Sequence, residues 1–216
     1  TTEIYTLSLH DALPIFGPVR TGKSTFIKLI VGEESPDAGY LYRGPSVKTA
    51  YLPQLVRFED PNLSILDTML SETRLSPQSA RDRLGAFLFS GEDVFKPVCT
   101  LSGGEQSRLR LCILMKDDIN FLILDEPTNH LDISSREWIE SCLMDYGEAL
   151  LFVSHDRYFI DRFATRIWLL ENGTITDFRG GYQAFLENRE RMQNVERAKK
   201  ESEKKTQKKE KPKSQP

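Results

Sequence analysis

Residues 100–132, TLSGGEQSRLRLCILMKDDINFLILDEPTNHLD, restrict the fold more than any other part of this chain. Phe121-Leu122-Ile123-Leu124 is a continuous apolar run, the mark of a parallel strand buried on both faces. It ends in two adjacent carboxylates, Asp125 and Glu126. Ahead of it, Ser102-Gly103-Gly104 opens a helical pattern carried by Leu109, Cys112, Ile113 and Met115 or Lys116. A strand buried on both faces needs neighbours, and the chain supplies them. Residues 149–153 (ALLFV) form a second buried run that ends at Ser154-His155-Asp156. Strand and helix alternate, which implies an α/β fold with a largely parallel sheet. Ligands of such sheets bind at the carboxyl ends of strands. Gln54, Asp125, Glu126 and His155 all fall just after expected strands, so a single site is expected there.

Upstream, Gly17-Pro18-Val19-Arg20-Thr21-Gly22-Lys23-Ser24-Thr25 reads G-x-x-x-x-G-K-S-T. Helical spacing at Phe26, Ile27, Leu29 and Ile30 follows it. A glycine-rich turn that opens a helix aims backbone N–H groups at an anion, with the helix dipole assisting. In this pattern the lysine, Lys23, reaches the β- and γ-phosphates of a nucleotide, and the Ser24 hydroxyl coordinates Mg²⁺. Two acids at a strand end could otherwise cap a helix or enter a solvated loop. With a Lys-Ser phosphate loop upstream, Asp125 is instead expected to hold Mg²⁺ and Glu126 to orient the attacking water. His155 taken alone reads as structural.

The rest of the 216 residues frames these motifs. Hydrophobic residues make up 39% and charged residues 28%, as in an ordinary globular domain. No apolar run reaches the ~18 residues that would suggest a membrane span. Cys99, Cys112 and Cys142 are widely spaced and odd in number, which argues against a zinc site or disulfide framework and for a reducing, cytoplasmic setting. Residues 188–216 carry 11 Lys and Arg against 5 Asp and Glu, and the other residues carry 18 against 27. A basic tail on an acidic body suits either a polyanionic partner or a solvated end.

Residues 1–16 (TTEIYTLSLHDALPIF) look like translated sequencing-adapter sequence joined to a truncated reading frame. Pro14 is expected to interrupt any strand before the phosphate loop, so this segment is expected to lie outside the fold, with the domain covering residues 17–187. Tyr40-Leu41-Tyr42 and residues 48–52 read as short strands. Residues 62–98 form a helical insertion, with apolar stripes at Ile65, Leu66, Met69 and Leu70 and at Leu84, Phe87 and Leu88. Ser134-x-x-Glu137 has the pattern of a capping box, backed by Trp138, Ile139, Cys142, Leu143 and Tyr146. Residues 166–178 read as a hairpin around Asn172-Gly173. The tail is expected to be helical from Tyr182, to fray after Gln193 and to end in disorder.

Leu101 to Gln106, placed directly ahead of an apolar strand ending in Asp-Glu-Pro-Thr, resembles the signature of the ATP-binding cassette (ABC) ATPases, and the likeness runs from about Gly17 to Leu186. The resemblance implies ATP and Mg²⁺ as ligands, with Gly17 to Thr25 cradling the phosphates. Gln54 would be the Q-loop glutamine beside nucleotide and metal, and His155 the switch histidine, catalytic together with Glu126 and Lys23. Ser102, Gly103, Gly104, Glu105 and Gln106 would face ATP held by another cassette, and Asp132 would lie in the D-loop. Asp125-Glu126-Pro127-Thr128-Asn129-His130-Leu131-Asp132 and Phe152 to Phe159 (FVSHDRYF) take the form typical of the ABC-F subfamily. These proteins are soluble two-cassette ATPases that act on ribosomes as translation factors or in antibiotic resistance. The basic extension is similar to that of the second cassette in such a chain. The partners implied are a second cassette, in the same chain or a head-to-tail copy, and ribosomal RNA. Val19 and Arg20 depart from the Asn and Gly usual at those positions. Two other readings stay open: the ATPase subunit of a membrane transporter, and a degenerate nucleotide-dependent binding module.

Overall fold

The computed structural model describes residues 11–18, 21–115, 118–129 and 131–209, without the side chains of 196–209. Within these residues a six-stranded sheet runs in the order β2-β3-β4-β1-β5-β6. The strands are β1 (Ala12–Phe16), β2 (Thr49–Leu52), β3 (Phe121–Asp125), β4 (Ala149–Val153), β5 (Arg166–Glu171) and β6 (Thr174–Arg179). All neighbours are parallel except β5 and β6, which form an antiparallel hairpin. Asn172 (φ 53°) and Gly173 (φ 72°) turn that hairpin, the left-handed pair that a two-residue loop requires.

Alternation along the inner strands divides the core between the two faces of the sheet. Leu122, Leu124, Leu150 and Phe152 point to one face. Helices α4 (Gly103–Leu114), α5 (Ile133–Met144), α6 (Arg157–Phe163) and the start of α7 (Tyr182–Lys209) cover that side, through residues such as Leu111, Ile139, Phe159 and Phe185. Ile123, Leu151 and Val153 point to the other face, onto Ile27 of α1 (Lys23–Val31). Helices α2 (Ile65–Glu72) and α3 (Pro77–Ala86) build a third cluster with Leu109, Cys112 and Ile113 of α4. Helix α4 therefore bridges two cores, with Leu111 in one and its neighbours in the other.

Several expectations need correction. Strand β1 forms within the segment expected to lie outside the fold, and it occupies a central place between β4 and β5. Proline is tolerated there because of which way its backbone faces. Ala12 exchanges hydrogen bonds with Thr165, ahead of β5, whereas the Asp11 carbonyl accepts from Leu150 of β4. By strand alternation Pro14 faces the β5 side, like Ala12. Pairing with β5 begins only at Ile15, so the missing donor interrupts no established ladder. Residues 1–10 lie outside the described residues.

Tyr40-Leu41-Tyr42 is not a strand. It has no ladder partner among the described residues, and Tyr40 and Tyr42 are exposed. Leu88 leaves its stripe: the chain turns left-handed there (φ 60°), exposing Leu88 and burying Phe89 in its place. Helix α5 is capped by Asp132, which accepts from the Ser135 N–H at 2.8 Å, so Ser134 lies inside the helix and not at its cap. Helix α7 does not fray at Gln193 but continues to Lys209, through residues that are nearly all good helix formers. The end expected to be disordered, from Glu210, lies outside the described residues.

Candidate functional site

The carboxyl ends of β1, β2, β3 and β4 converge on one pocket of about 310 Å³. From the phosphate loop it is lined by Gly22, Lys23, Ser24 and Thr25, from the loop after β2 by Gln54, and from the ends of β3 and β4 by Asp125, Glu126 and His155. Residues far apart in sequence meet here because parallel strands place their loops at the same edge.

Gly17 passes so close to β5 that a Cβ would lie 2.3 Å from the Leu170 carbonyl oxygen. No larger residue fits there without displacing backbone. The Lys23 ammonium folds back over the loop and donates to the carbonyls of Gly17 (3.0 Å) and Pro18 (2.8 Å). Thr21 donates to the same Pro18 carbonyl at 2.9 Å. Gly22 starts α1 at φ 90°, and no side chain caps that end. The first-turn N–H groups beside the pocket therefore lack a side-chain acceptor, which is the arrangement that receives an anion. Val19 and Arg20 lie outside the described residues.

Asp125 is buried at the end of β3, beside Ser24 in the pocket lining. Burial raises its pKa, and Ser24 and then Lys23 oppose the shift. Glu126 follows at φ 52°, an unusual conformation for a non-glycine residue, held by its N–H donating to the Val153 carbonyl at 2.9 Å. Its carboxylate accepts from the His155 N–H at 3.2 Å and lies 3.4 Å from His155 Nε2. Burial raises the Glu126 pKa as well, against the attraction of His155. Lys23 is shifted down by burial, with Glu126 and Asp125 pulling the other way. One ammonium and two carboxylates are thus held partly out of water around a cavity.

The other expected site residues lie elsewhere. Ser102 caps α4 in a closed capping box: its hydroxyl accepts from the Glu105 N–H at 3.3 Å, and Glu105 accepts from the Ser102 N–H at 2.8 Å. Gln106 donates to the Leu101 carbonyl at 3.0 Å. None of residues 102–106 lines the pocket, and neither does Asp132, which is occupied in capping α5. Gly104 packs on that cap, where an added Cβ would lie 2.7 Å from Ser135 Oγ, whereas one at Gly103 would meet open space. Two lining residues escaped sequence reasoning, Asn129 and Val153. The signal for Val153 is its register opposite Asp125. Asn129 belongs to the turn after Glu126, whose carbonyl accepts the Asn129 N–H at 3.1 Å.

Comparison with known proteins gives the class to which a chain with this geometry belongs. Residues 5–129 match the family described as ABC transporter. The chain belongs to that family, as an ATP-binding cassette. It is 42% identical over 198 residues to YdiF of Bacillus subtilis, covering 91% of this chain and 31% of that one. It is 33% identical over 195 residues to the energy-dependent translational throttle protein EttA of Mycobacterium tuberculosis, covering 86% and 35% respectively. The chain thus spans about a third of the length of these curated relatives. The fold matches a dimeric ATP-binding cassette solved in a post-hydrolysis state with ADP and Pi, with a TM-score of 0.64 at 22% identity over 82% of this chain and 89% of that one. Among the described residues, no helix is long and apolar enough to cross a membrane.

Proposed function

We propose that the chain is an ABC-F-type cassette that hydrolyses ATP to ADP and phosphate when a second cassette completes its site, and that it acts on the ribosome. The observation that carries this is the split between two motifs. Lys23, Ser24, Asp125, Glu126 and His155 share one pocket, while residues 102–106 lie outside it and are free to face a nucleotide held by another cassette.

In this reading Lys23 and the open N–H groups of α1 bind the β- and γ-phosphates. The oxygen donors Ser24, Asp125 and Gln54 suit Mg²⁺, a hard cation; their shared place in the pocket lining and the burial of the Asp125 carboxylate fit such a group. When bound, Mg²⁺ neutralises charge on the phosphates. Glu126 accepts the proton of the attacking water, whose oxygen takes the γ-phosphoryl group as ADP leaves. A pKa raised by burial brings that carboxylate nearer to working pH, where a general base is most effective. His155 holds the Glu126 carboxylate in place.

The ribosomal assignment is supported by the ABC-F form of residues 125–132 and 152–159, by the similarity to a protein named as a translational throttle, and by the basic character of residues 188–216. Glu126→Gln, assayed with a second cassette present, is expected to lower phosphate release at least ~100-fold while ATP binding persists. Turnover at the parent rate would remove Glu126 from the base role. Sedimentation with ribosomes should weaken steeply as salt rises. Recovery with membranes instead would favour a transporter subunit.

A further inference from the structure

Gln54 stands at the mouth of the pocket, and the chain that leaves it crosses from one core to another. Val56 packs against the core under the sheet, and Phe58 packs against the cluster of α2, α3 and α4. Among the described residues, no backbone–backbone hydrogen bond holds residues 54–58. Beyond this apolar packing, Arg110 of α4 ties the crossing with polar contacts. Arg110 donates from Nη2 to the Arg57 carbonyl at 2.6 Å, and its guanidinium lies over the Phe58 ring, 4.4 Å from the centroid. Through Nη1 it also pairs with Glu72 at the end of α2. The Arg110 side chain is only 17% exposed, so its pairing with Glu72 is shielded from solvent more than a surface ion pair.

We propose that Arg110 is a positioning residue that ties the Gln54 loop to the helix whose amino terminus carries Ser102, Gly103 and Gly104. The inference rests on the pocket being the ATP site. A shift of the loop when Gln54 meets nucleotide is passed to α4 through the planar fork and the stacked ring. The outward-facing end of α4 is thereby oriented for a partner's nucleotide only when this chain's own pocket is filled. Lysine could keep the charge pairing with Glu72 but not the combination of forked donation and stacking.

The test uses the 216-residue chain at a concentration chosen by sedimentation so that it is monomeric, with MgADP as the probe. Backbone amide NMR signals of Gln54 and of Ser102 to Gly104 are followed during the titration. Both sets should shift in the parent chain. In Arg110→Met, the Gln54 shift should persist while those at residues 102–104 fall below about half, and Arg110→Lys should lie between. Thermal unfolding of each variant separates this from a folding defect. With a second cassette added, Arg110→Met should lower kcat about fivefold or more, the low end of typical inter-site coupling, with KM little changed. Equal shifts at residues 102–104 in parent and Arg110→Met would overturn the role, as would a parent chain in which only Gln54 responds. Absence of any shift at Gln54 in the parent would instead bring down the nucleotide-site reading itself, and this inference with it.

Discussion

The amino termini of α1 and α4 are both glycine-led turns that open a helix, yet they are finished in opposite ways. At α1 the cap is Gly22 in a left-handed conformation with no side-chain acceptor, and Lys23 and Ser24 line the pocket beside it. At α4 the cap is Ser102, and the reciprocal bonds of Ser102 and Glu105 satisfy the N–H groups of those two residues. The first end leaves N–H groups open for an anion in its own pocket. The second has two of its donors met by its own side chains and presents Gly103 to open space. The difference lies in whether the protein's own side chains take up any of the free donors of the helix end.

The comparison can be broken most severely at Lys23. Lys23→Ala should weaken ATP binding by about 30- to 100-fold, as expected for loss of charge-assisted hydrogen bonds of ~2–3 kcal/mol. Titration with a fluorescent ATP analogue measures this, and affinity within a few-fold of the parent would show that the open helix end is not the phosphate site. Next comes the glycine pair. Gly104→Ala drives a Cβ against Ser135 and should lower stability by about 1–3 kcal/mol in denaturant unfolding. Gly103→Ala, with free space around it, should change stability little or raise it. Equal effects at both positions would mean that the packing of α4 on the α5 cap is unimportant. A smaller effect, about 1 kcal/mol, is expected from Ser102→Ala through loss of the cap. Nucleotide affinity of the monomer should not change, because Ser102 lies outside the pocket.

Acid titration sharpens the contrast by direction alone. Burial raises the folded pKa of Asp125, so its ionisation opposes folding, and the stability it confers when protonated is lost as pH rises through that pKa. Asp125→Asn should therefore raise the melting temperature of the nucleotide-free chain at pH 7. Asp132 is the reverse. Hydrogen bonds from the Ser134 hydroxyl and from the Ser135 N–H and hydroxyl hold its carboxyl well below the ordinary range. Its contribution is present above the unfolded pKa of ~4 and is lost as pH falls through the folded value. Asp132→Asn should destabilise at pH 7, with the gap to the parent closing in strong acid. Melting curves against pH test both signs.

Most of the candidate site could be located from sequence because its chemistry is written in short, contiguous motifs. Asp125-Glu126 and His155 each follow a strand legible from its apolar run, Gly22 to Thr25 is legible from its own glycine-Lys-Ser pattern, and parallel topology then brings them together. The misjudged parts depended on which way a group faces. Pro14 was read as a strand breaker, but its imino nitrogen lies where no β5 pairing had begun. Ser134 fits a capping pattern, yet the helix already starts at Ile133 and Asp132 takes the free N–H. Tyr40-Leu41-Tyr42 has strand composition but no neighbouring strand among the described residues.

Local order along the chain was enough to determine the alternation of strands and helices, the phosphate loop, the paired carboxylates and the signature, since each depends on residues within a few positions. Tertiary structure set residues 102–106 apart from the pocket that Lys23 and Glu126 share, as the family resemblance implies. It also placed Arg110 across the loop from Gln54, and it bent Glu126 into a conformation that lets His155 reach its carboxylate. These outcomes depend on how two cores and one sheet edge meet in space, and that distance is not encoded in any single stretch of sequence.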